Sequence, residues 1–321
     1  MRVMPKHRRL VVGSRVFKVF EYKKPFNQET SDDNPILCAL YSQKRFEFYI
    51  AGERSVNVWN ARSGKPTRCF KNCVDSDITY MALDKDHRKL IIGSHLGQLK
   101  VFDCLSGVMI NVLEGHNEKR AGKVRQLGSD ESAEISFIGY GDDDLTIITT
   151  GWDKTIKIHR DDRDEQKHAY ENVMRAKEMC HRKDIISADY FHQMGLIATG
   201  GRDNNVRIWD YEKMKFESEI RAHSDEVTTV KFLKPLPLLL TADCKGIIYI
   251  WSLPIEKDWS NNCLLMFINK ASVEDEVAIS AVDYHHNQAK GEHFIILGDE
   301  KGMVKILDIS ELLKKNPKLK P

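Results

Sequence analysis

Short apolar runs of five to seven residues, each closed by Gly, Asp or Asn, recur along most of the chain. The clearest group is "DIISADYF" (184–191), "GLIATG" (195–200), "NVRIWDY" (205–211) and "KFESEI" (215–220). β-Branched and aromatic residues dominate these runs, which predicts four short strands. The middle two are almost continuously apolar, as strands covered on both faces should be. The outer ones are more polar, as suits an edge facing water. Helical periodicity is confined to "ISELLKK" near the end and to "QKHAYENVMRAKEM" at 166–179.

The group repeats. "GSRVFKVFE" (13–21), "GERSVNVWN" (52–60), "GSHLGQLKVFD" (93–103), "GWDKTIKIHR" (151–160), "GGRDNNVRIWD" (200–210), "ADCKGIIYIWS" (242–252) and "GDEKGMVKILD" (298–308) share one outline. The large residue near each end falls at Phe20, Trp59, Phe102, His159, Trp209, Trp251 and Leu307, 39 to 57 residues apart. A recurrence near 40–45 residues with insertions marks a repeat architecture. One unit is too small to bury both faces of a sheet alone, so it must bury them against its neighbours. Radial closure solves that problem. The expected fold is therefore all-β, a seven-bladed β-propeller of four-stranded antiparallel blades over 1–310, with a short helix and basic tail over 311–321. Third strands are expected near 15–21, 55–60, 98–103, 154–160, 205–211, 246–252 and 303–309.

Strand counting leaves the first and last blades incomplete. Strands near 8–13 and 15–21 lack a full predecessor, and those near 277–284, 293–298 and 303–309 lack a fourth partner. The chain is accordingly expected to be part of a longer polypeptide. The alternative, that Met1–Met4 is a stub of the missing inner strand, stays open.

Composition changes this picture little. Lys+Arg 49 against Asp+Glu 47 leaves +2, too balanced to point to nucleic acid. The basic ends, "MPKHRR" and "KKNPKLKP", read as solvated linkers. Seven scattered cysteines contain no C-x-x-C, which reads as reduced thiols. No long apolar run follows "MRVMPKHRRLVVG", and "PLPLLL" (235–240) is far short of a membrane span. The expectation is a cytoplasmic protein that engages neither membrane nor nucleic acid.

"ATGGRDNNVRIWD" (198–210) puts two glycines, a threonine and an aspartate near histidines, and so resembles a phosphate loop or an active site. It has neither P-loop nor dinucleotide spacing, and no G-x-S-x-G elbow occurs in the chain. The glycines read as residues that end a strand and let the chain reverse, with Asp203, Asn204 and Asn205 in the turn. "GYGDDDLTI" (139–147) and "RDDRDEQ" (160–166) lack calcium-loop alternation. "HRKD" (181–184) and "YHHNQ" (284–288) carry histidines, but adjacent His285 and His286 would face opposite sides of a strand. No cofactor or metal is expected.

"GH" (115–116), "AH" (222–223) and the "IWD" and "VWN" endings resemble the WD-repeat β-propeller family over nearly the whole chain. In that family a histidine, a strand Ser/Thr, a turn aspartate and the tryptophan form a buried hydrogen-bonded tetrad. The resemblance places it at His181, Thr199, Asp203 and Trp209, and at His116, Thr149 and Asp153 with His159 for the tryptophan. It also places one at His223, Thr241 and Trp251, with Lys245 where the aspartate belongs. Elsewhere Ser14, Glu53, Leu96 and Lys301 stand at the aspartate position. A set that recurs in several blades is structural, since one active site needs one set.

The residue before the turn aspartate usually faces partners in that family, which implies contacts at Trp152, Arg202, His95 and Glu300. "MPKHRRLVVGSRVFKVFEY" with "RKDIISADYFHQMGLIATGGRDNNVRIWD" further resembles ciliary and flagellar WD-repeat proteins that pair two propellers with an EF-hand segment. No EF-hand loop is present here. The expected function is a non-enzymatic scaffold binding other proteins or peptides, in a ciliary, axonemal or other cytoskeletal multi-protein assembly. The alternative is a substrate-recognition subunit of a ubiquitin-ligase or signalling complex that binds peptides on the top face.

Overall fold

The computed structural model describes residues 36–116, 133–141, 146–161, 173–254, 263–268, 277–287 and 291–315, together with the strands at 2–4, 9–13, 17–21 and 31–32. The fold is an all-β β-propeller, in which consecutive strands of each sheet pair antiparallel in chain order. Its contacts divide it into two compact units, Arg2–Cys180 and His181–Pro321.

The first unit holds four sheets. They comprise Arg2–Met4, Arg9–Gly13, Phe17–Glu21 and Ser31–Asp32; then Cys38–Ser42, Glu47–Ala51, Val56–Asn60 and Pro66–Phe70. Ile78–Leu83, Lys89–Ser94, Leu99–Asp103 and Met109–Leu113 form the third, and Ile135–Tyr140, Thr146–Gly151, Ile156–Arg160 and Val173–Lys177 the fourth.

The second unit holds three. The fifth sheet is Ile185–Phe191, Leu196–Gly201, Val206–Asp210 and Lys215–Ile220; the sixth is Val227–Phe232, Leu238–Asp243, Ile248–Ser252 and Cys263–Ile268. The seventh has three strands among the described residues, Ile279–Asn287, Glu292–Asp299 and Val304–Asp308.

The expected seven blades, the first and last of them incomplete, are corrected: among the described residues there are six four-stranded blades, followed by a three-stranded sheet. The first blade is not short of a strand. Arg2–Met4 pairs with Arg9–Gly13, with Arg2 opposite Val11 and Met4 opposite Arg9. The helix expected across 166–179 is also corrected. Val173–Lys177 is an outer strand whose Lys177 lies opposite Ile156 and whose Arg175 lies opposite Ile158. An unpaired edge on Ile156–Arg160 outweighs the helix preference of Ala and Lys. The part of that segment before 173 lies outside the described residues, as do most of the two acidic stretches and the basic ends.

Burial explains why these runs are strands. Every residue of Glu47–Ala51, Thr146–Gly151, Leu196–Gly201 and Leu238–Asp243 is buried, whereas Pro66–Phe70 is mostly exposed. Four pairs of neighbouring sheets share a core, each pair within one unit. Tyr49, Val56 and Val58 meet Ile78, Met81 and Leu90; Ile91, Leu99 and Val101 meet Ile135, Ile138 and Ile147. In the second unit Ala198, Val206 and Ile208 meet Val227, Val230 and Phe232, and Leu240 and Ile250 meet Ile279 and Ile295. Each such side chain contributes about 1.5–3 kcal/mol of burial, spread over sheet-to-sheet contacts.

The short helix Ser310–Lys315 seals one end of the last core, with Ile309 and Leu313 buried against the sixth and seventh sheets. Asp308 starts it, its carboxylate accepting from the Ser310 backbone N–H at 2.8 Å. Cys38, Cys69, Cys73, Cys104, Cys180 and Cys244 are free thiols.

Candidate functional site

Three blades carry the same buried polar network. In the fifth, Thr199 sits mid-strand and fully buried. Its Oγ1 lies 2.8 Å from His181 Nε2 and accepts from Trp209 Nε1 at 3.0 Å. His181 Nδ1 lies 2.9 Å from Asp203 Oδ1. An ionised carboxylate can only accept, so the imidazole proton sits on Nδ1, and the threonine hydroxyl donates to Nε2. Burial disfavours the charged Asp203 side chain. The His181 hydrogen bond, the Arg182 backbone N–H and the Arg207 guanidinium outweigh it, and hold its carboxyl far below the usual carboxylate range.

The fourth blade repeats this with one exchange. His116 joins Asp153 at 2.8 Å and Thr149 at 2.9 Å, and His159 Nε2 replaces the indole at 2.8 Å from Thr149. Thr149 has one proton and gives it to His116, so His159 must donate from Nε2. That leaves His159 Nδ1 buried with no hydrogen-bond partner among the described residues. Burial, then the neighbouring His116 and Lys157 groups, push its basicity well below the ordinary imidazole value.

The sixth blade corrects the sequence reading. Thr241 contacts His223 Nε2 at 2.8 Å and accepts from Trp251 Nε1 at 3.0 Å. The aspartate is not replaced by Lys245. Asp243, the last residue of its strand, puts Oδ2 3.0 Å from His223 Nδ1, while Oδ1 accepts from the Lys245 and Ile247 backbone N–H groups at 3.1 and 2.9 Å.

Glycine explains the difference. At the equivalent positions stand Gly151 and Gly201, where an added Cβ would lie 2.8 and 2.6 Å from the histidine Nδ1. A carboxylate reaches the histidine either from the turn, across a glycine, or from the glycine's own position. Gly200 does something else. Its Cβ would fall 2.6 Å from Val227 Cγ1, so the glycine permits the next sheet to approach. Both glycines lie inside Leu196–Gly201 without positive φ, so neither reverses the chain as expected from sequence. Asn204 takes the left-handed conformation at φ 64°. All three threonine hydroxyls are inaccessible, and the networks act as cross-links between strands and turns.

The proposed contact residues occupy one structural position, the residue after the second strand. Their backbone N–H groups donate to the carbonyl just before the first strand of the same sheet: His95 to Asp77 (2.9 Å), Trp152 to Glu134 (2.9 Å), Arg202 to Asp184 (3.0 Å) and Glu300 to Ala278 (3.1 Å). Cys244, which the sequence pattern did not single out, does the same to Glu226 at 3.0 Å.

Their side chains then differ. His95 Nδ1 lies 2.7 Å from Glu134 Oε2, and its ring meets Trp152 edge-to-face at 6.3 Å between centroids. Trp152 is half-buried. Arg202 donates to Asp184 at 3.0 Å and lies 3.7 Å from Glu226. Glu300 is exposed.

His285 and His286 lie on Ile279–Asn287, where His286 is opposite His293 and stacks on it at 4.2 Å. Among the described residues no group of three His, Cys, Asp or Glu side chains could hold a metal ion, and no helix is long and apolar enough to cross a membrane.

The family model "WD domain, G-beta repeat" matches residues 175–210 and 214–252. The chain is 24% identical over 255 residues to "Cilia- and flagella-associated protein 337 B" of Tetrahymena thermophila, covering 78% of this chain and 19% of that protein. It is 22% identical over 182 residues to "Meiotic fizzy-related protein 1" of Schizosaccharomyces pombe, covering 55% and 36%. With "Anaphase-promoting complex subunit cdc20" of Dictyostelium discoideum it shares 24% over 185 residues, covering 57% and 32%. The matched stretch thus spans between a fifth and just over a third of these relatives' lengths.

Proposed function

The chain carries WD40 repeats, which generally act as protein-interaction scaffolds, and we propose that it is a non-enzymatic scaffold within a ciliary or other cytoskeletal assembly. The observation that carries this reading is the match to the Tetrahymena cilia- and flagella-associated protein over 78% of the chain. Stacked sheets give a stiff platform, and the turns between strands are free to vary in chemistry. His95, Trp152, Arg202 and Glu300 are the partner contacts, since tryptophan and arginine supply large buried area and directed hydrogen bonds at interfaces.

A second reading is a peptide-recognition subunit of a regulatory complex, and the likeness to the anaphase-promoting complex subunit favours it. One experiment separates the two. Tagged protein is recovered from ciliated cells beside a Trp152→Ala, Arg202→Ala variant of matched melting temperature. The scaffold reading expects retention in the axonemal fraction, released by salt and weakened in the variant. Absence from that fraction, with recovery in a soluble regulatory complex, overturns it in favour of the second reading.

A further inference from the structure

In the first unit, one end of the second and third sheets is made by four turns, at 43–46, 61–65, 84–88 and 104–108. Hydrogen bonds join them into one surface. The Ala61 N–H donates to the Phe46 carbonyl at 2.7 Å, and the Cys104 N–H to the Arg88 carbonyl at 2.8 Å. Lys44 reaches Asp86 at 2.7 Å, and Ser42 Oγ lies 2.7 Å from His87 Nδ1.

Charge is sorted by depth on this surface. Asp84 is buried and accepts from the Arg88 and Lys89 backbone N–H groups. Glu47 is buried among Arg45, Arg68 and the Tyr49 hydroxyl, and Asp103 accepts from the Leu105 and Ser106 N–H groups. The carboxylates thus serve the fold, while Lys44, Arg62, Lys65, Lys85 and Arg88 stand exposed. Asp86 is the one exposed carboxylate among the described residues of these turns, and Lys44 and Arg88 already share it. Arg62 and Lys65 have no carboxylate partner among the described residues. The Arg62 guanidinium is held over the Phe46 ring, 4.2 Å from its centroid, which orders that charge before a partner arrives.

The other end of the same two sheets is different. Its turns at 52–55, 71–77 and 95–98 expose Arg54 and Lys71 against Glu53, Asp75 and Asp77. Cations are therefore gathered at one end of a chain whose formal charge is only +2. The 104–108 turn adds apolar surface, with Leu105 and Val108 each 63% exposed. Cations beside apolar side chains fit a polypeptide, which can offer carboxylates and an apolar group together; a phosphate backbone offers only charge.

We propose that this end of the second and third sheets binds an acidic segment of a partner protein. Its carboxylates meet Lys44, Arg62, Lys65 and Arg88, and an apolar side chain of the segment covers Leu105 and Val108. The surface is separate from the contact at His95, because Arg88 precedes the strand Lys89–Ser94 and His95 follows it.

The test uses the full chain and a fluorescein-labelled peptide of glutamates around one central leucine, read by fluorescence polarisation. The peptide is expected to bind saturably, and more weakly as salt rises. Its glutamine counterpart should bind at least about tenfold more weakly. Arg62→Glu with Lys65→Glu should lose about tenfold or more of the affinity. Arg54→Glu with Lys71→Glu changes net charge equally at the other end, and should lose less than about twofold. Leu105→Ser with Val108→Ser should lose about threefold or more. All six residues are exposed, and unchanged thermal melts establish that each variant is folded. Absence of saturable binding, equal losses in the two charge-reversed variants, or full affinity in Leu105→Ser with Val108→Ser overturns the proposal. A uridine oligonucleotide of equal charge that binds as tightly as the peptide overturns it in favour of nucleic acid. The probe involves no cellular partner, so its failure leaves the axonemal result standing, and loss of axonemal retention leaves this result standing.

Discussion

Asp243 Oδ2 lies 3.0 Å from His223 Nδ1, the contact that Asp203 makes with His181 at 2.9 Å. Yet the two aspartates stand at different places in their repeats. Asp203 is in the turn, past Gly201; Asp243 is the final strand residue, where the fifth blade has that glycine. The imidazole needs one fixed acceptor, and two backbone routes deliver it.

Asp243→Ala should therefore destabilise the protein by about 2–4 kcal/mol, since it leaves the buried His223 N–H and two turn N–H groups without their acceptor. Lys245→Ala should stay within about 0.5 kcal/mol, because its ammonium makes only a 3.5 Å pair with Asp225 at the surface. Urea denaturation of both variants checks this. A larger loss for Lys245→Ala would mean that the carboxylate comes from elsewhere.

The glycine account is tested by adding a methyl group. Gly201→Ala puts Cβ 2.6 Å from His181 Nδ1 and 2.8 Å from Asp203 Oδ1, and should cost about 1–3 kcal/mol. Gly298→Ala, whose nearest neighbour would be 3.8 Å away, should change stability by less than about 0.5 kcal/mol. Thermal melts of the pair read the contrast directly.

His159→Trp should stabilise the fourth blade by about 0.5–2 kcal/mol. The indole N–H would replace Nε2 as donor to Thr149, as in the fifth and sixth blades, and the partnerless Nδ1 would disappear. His159→Ala, which opens a cavity and removes the donor, should destabilise by about 2–4 kcal/mol. Calorimetry of the two variants in one buffer decides it.

The same residue sets a pH dependence. Burial lowers the His159 basicity in the folded state well below 6.5, whereas the unfolded chain binds a proton near 6.5. Above that pH neither state is charged, and the group is neutral to stability. Below it the unfolded state alone takes up the proton, so stability falls by up to about 1.4 kcal/mol per pH unit from this group. His293, lowered more mildly by burial and the His286 charge against the opposing pull of Asp308, acts in the same direction. Asp203 adds a loss only in stronger acid, as pH falls through the usual carboxylate range and below it, because folding holds its carboxyl far below that range. Denaturation between pH 7 and 5 should show a shallower slope for His159→Trp than for the parent.

Much of this was legible in the chain. Alternating and continuous apolar runs closed by turn residues decide strand against helix, because a strand pattern cannot be buried as a helix without exposing half of it. The spacing of Thr149 to Asp153 and Thr199 to Asp203 located two networks, since both use the same five-residue path from strand to turn. Tertiary structure decided the rest. Spacing could not find Asp243, because a carboxylate is identified as an acceptor only once the imidazole is beside it. Nor could sequence tell that Gly200 and Gly201 yield space rather than a bend, as the atoms they make room for come from Val227 and His181. Val173–Lys177 became a strand because a neighbouring edge offered hydrogen bonds, and Trp152 met His95 only when two repeats stacked. The sequence by itself determined which segments pair locally; contacts between repeats, made by atoms distant along the chain, decided what the remaining side chains touch.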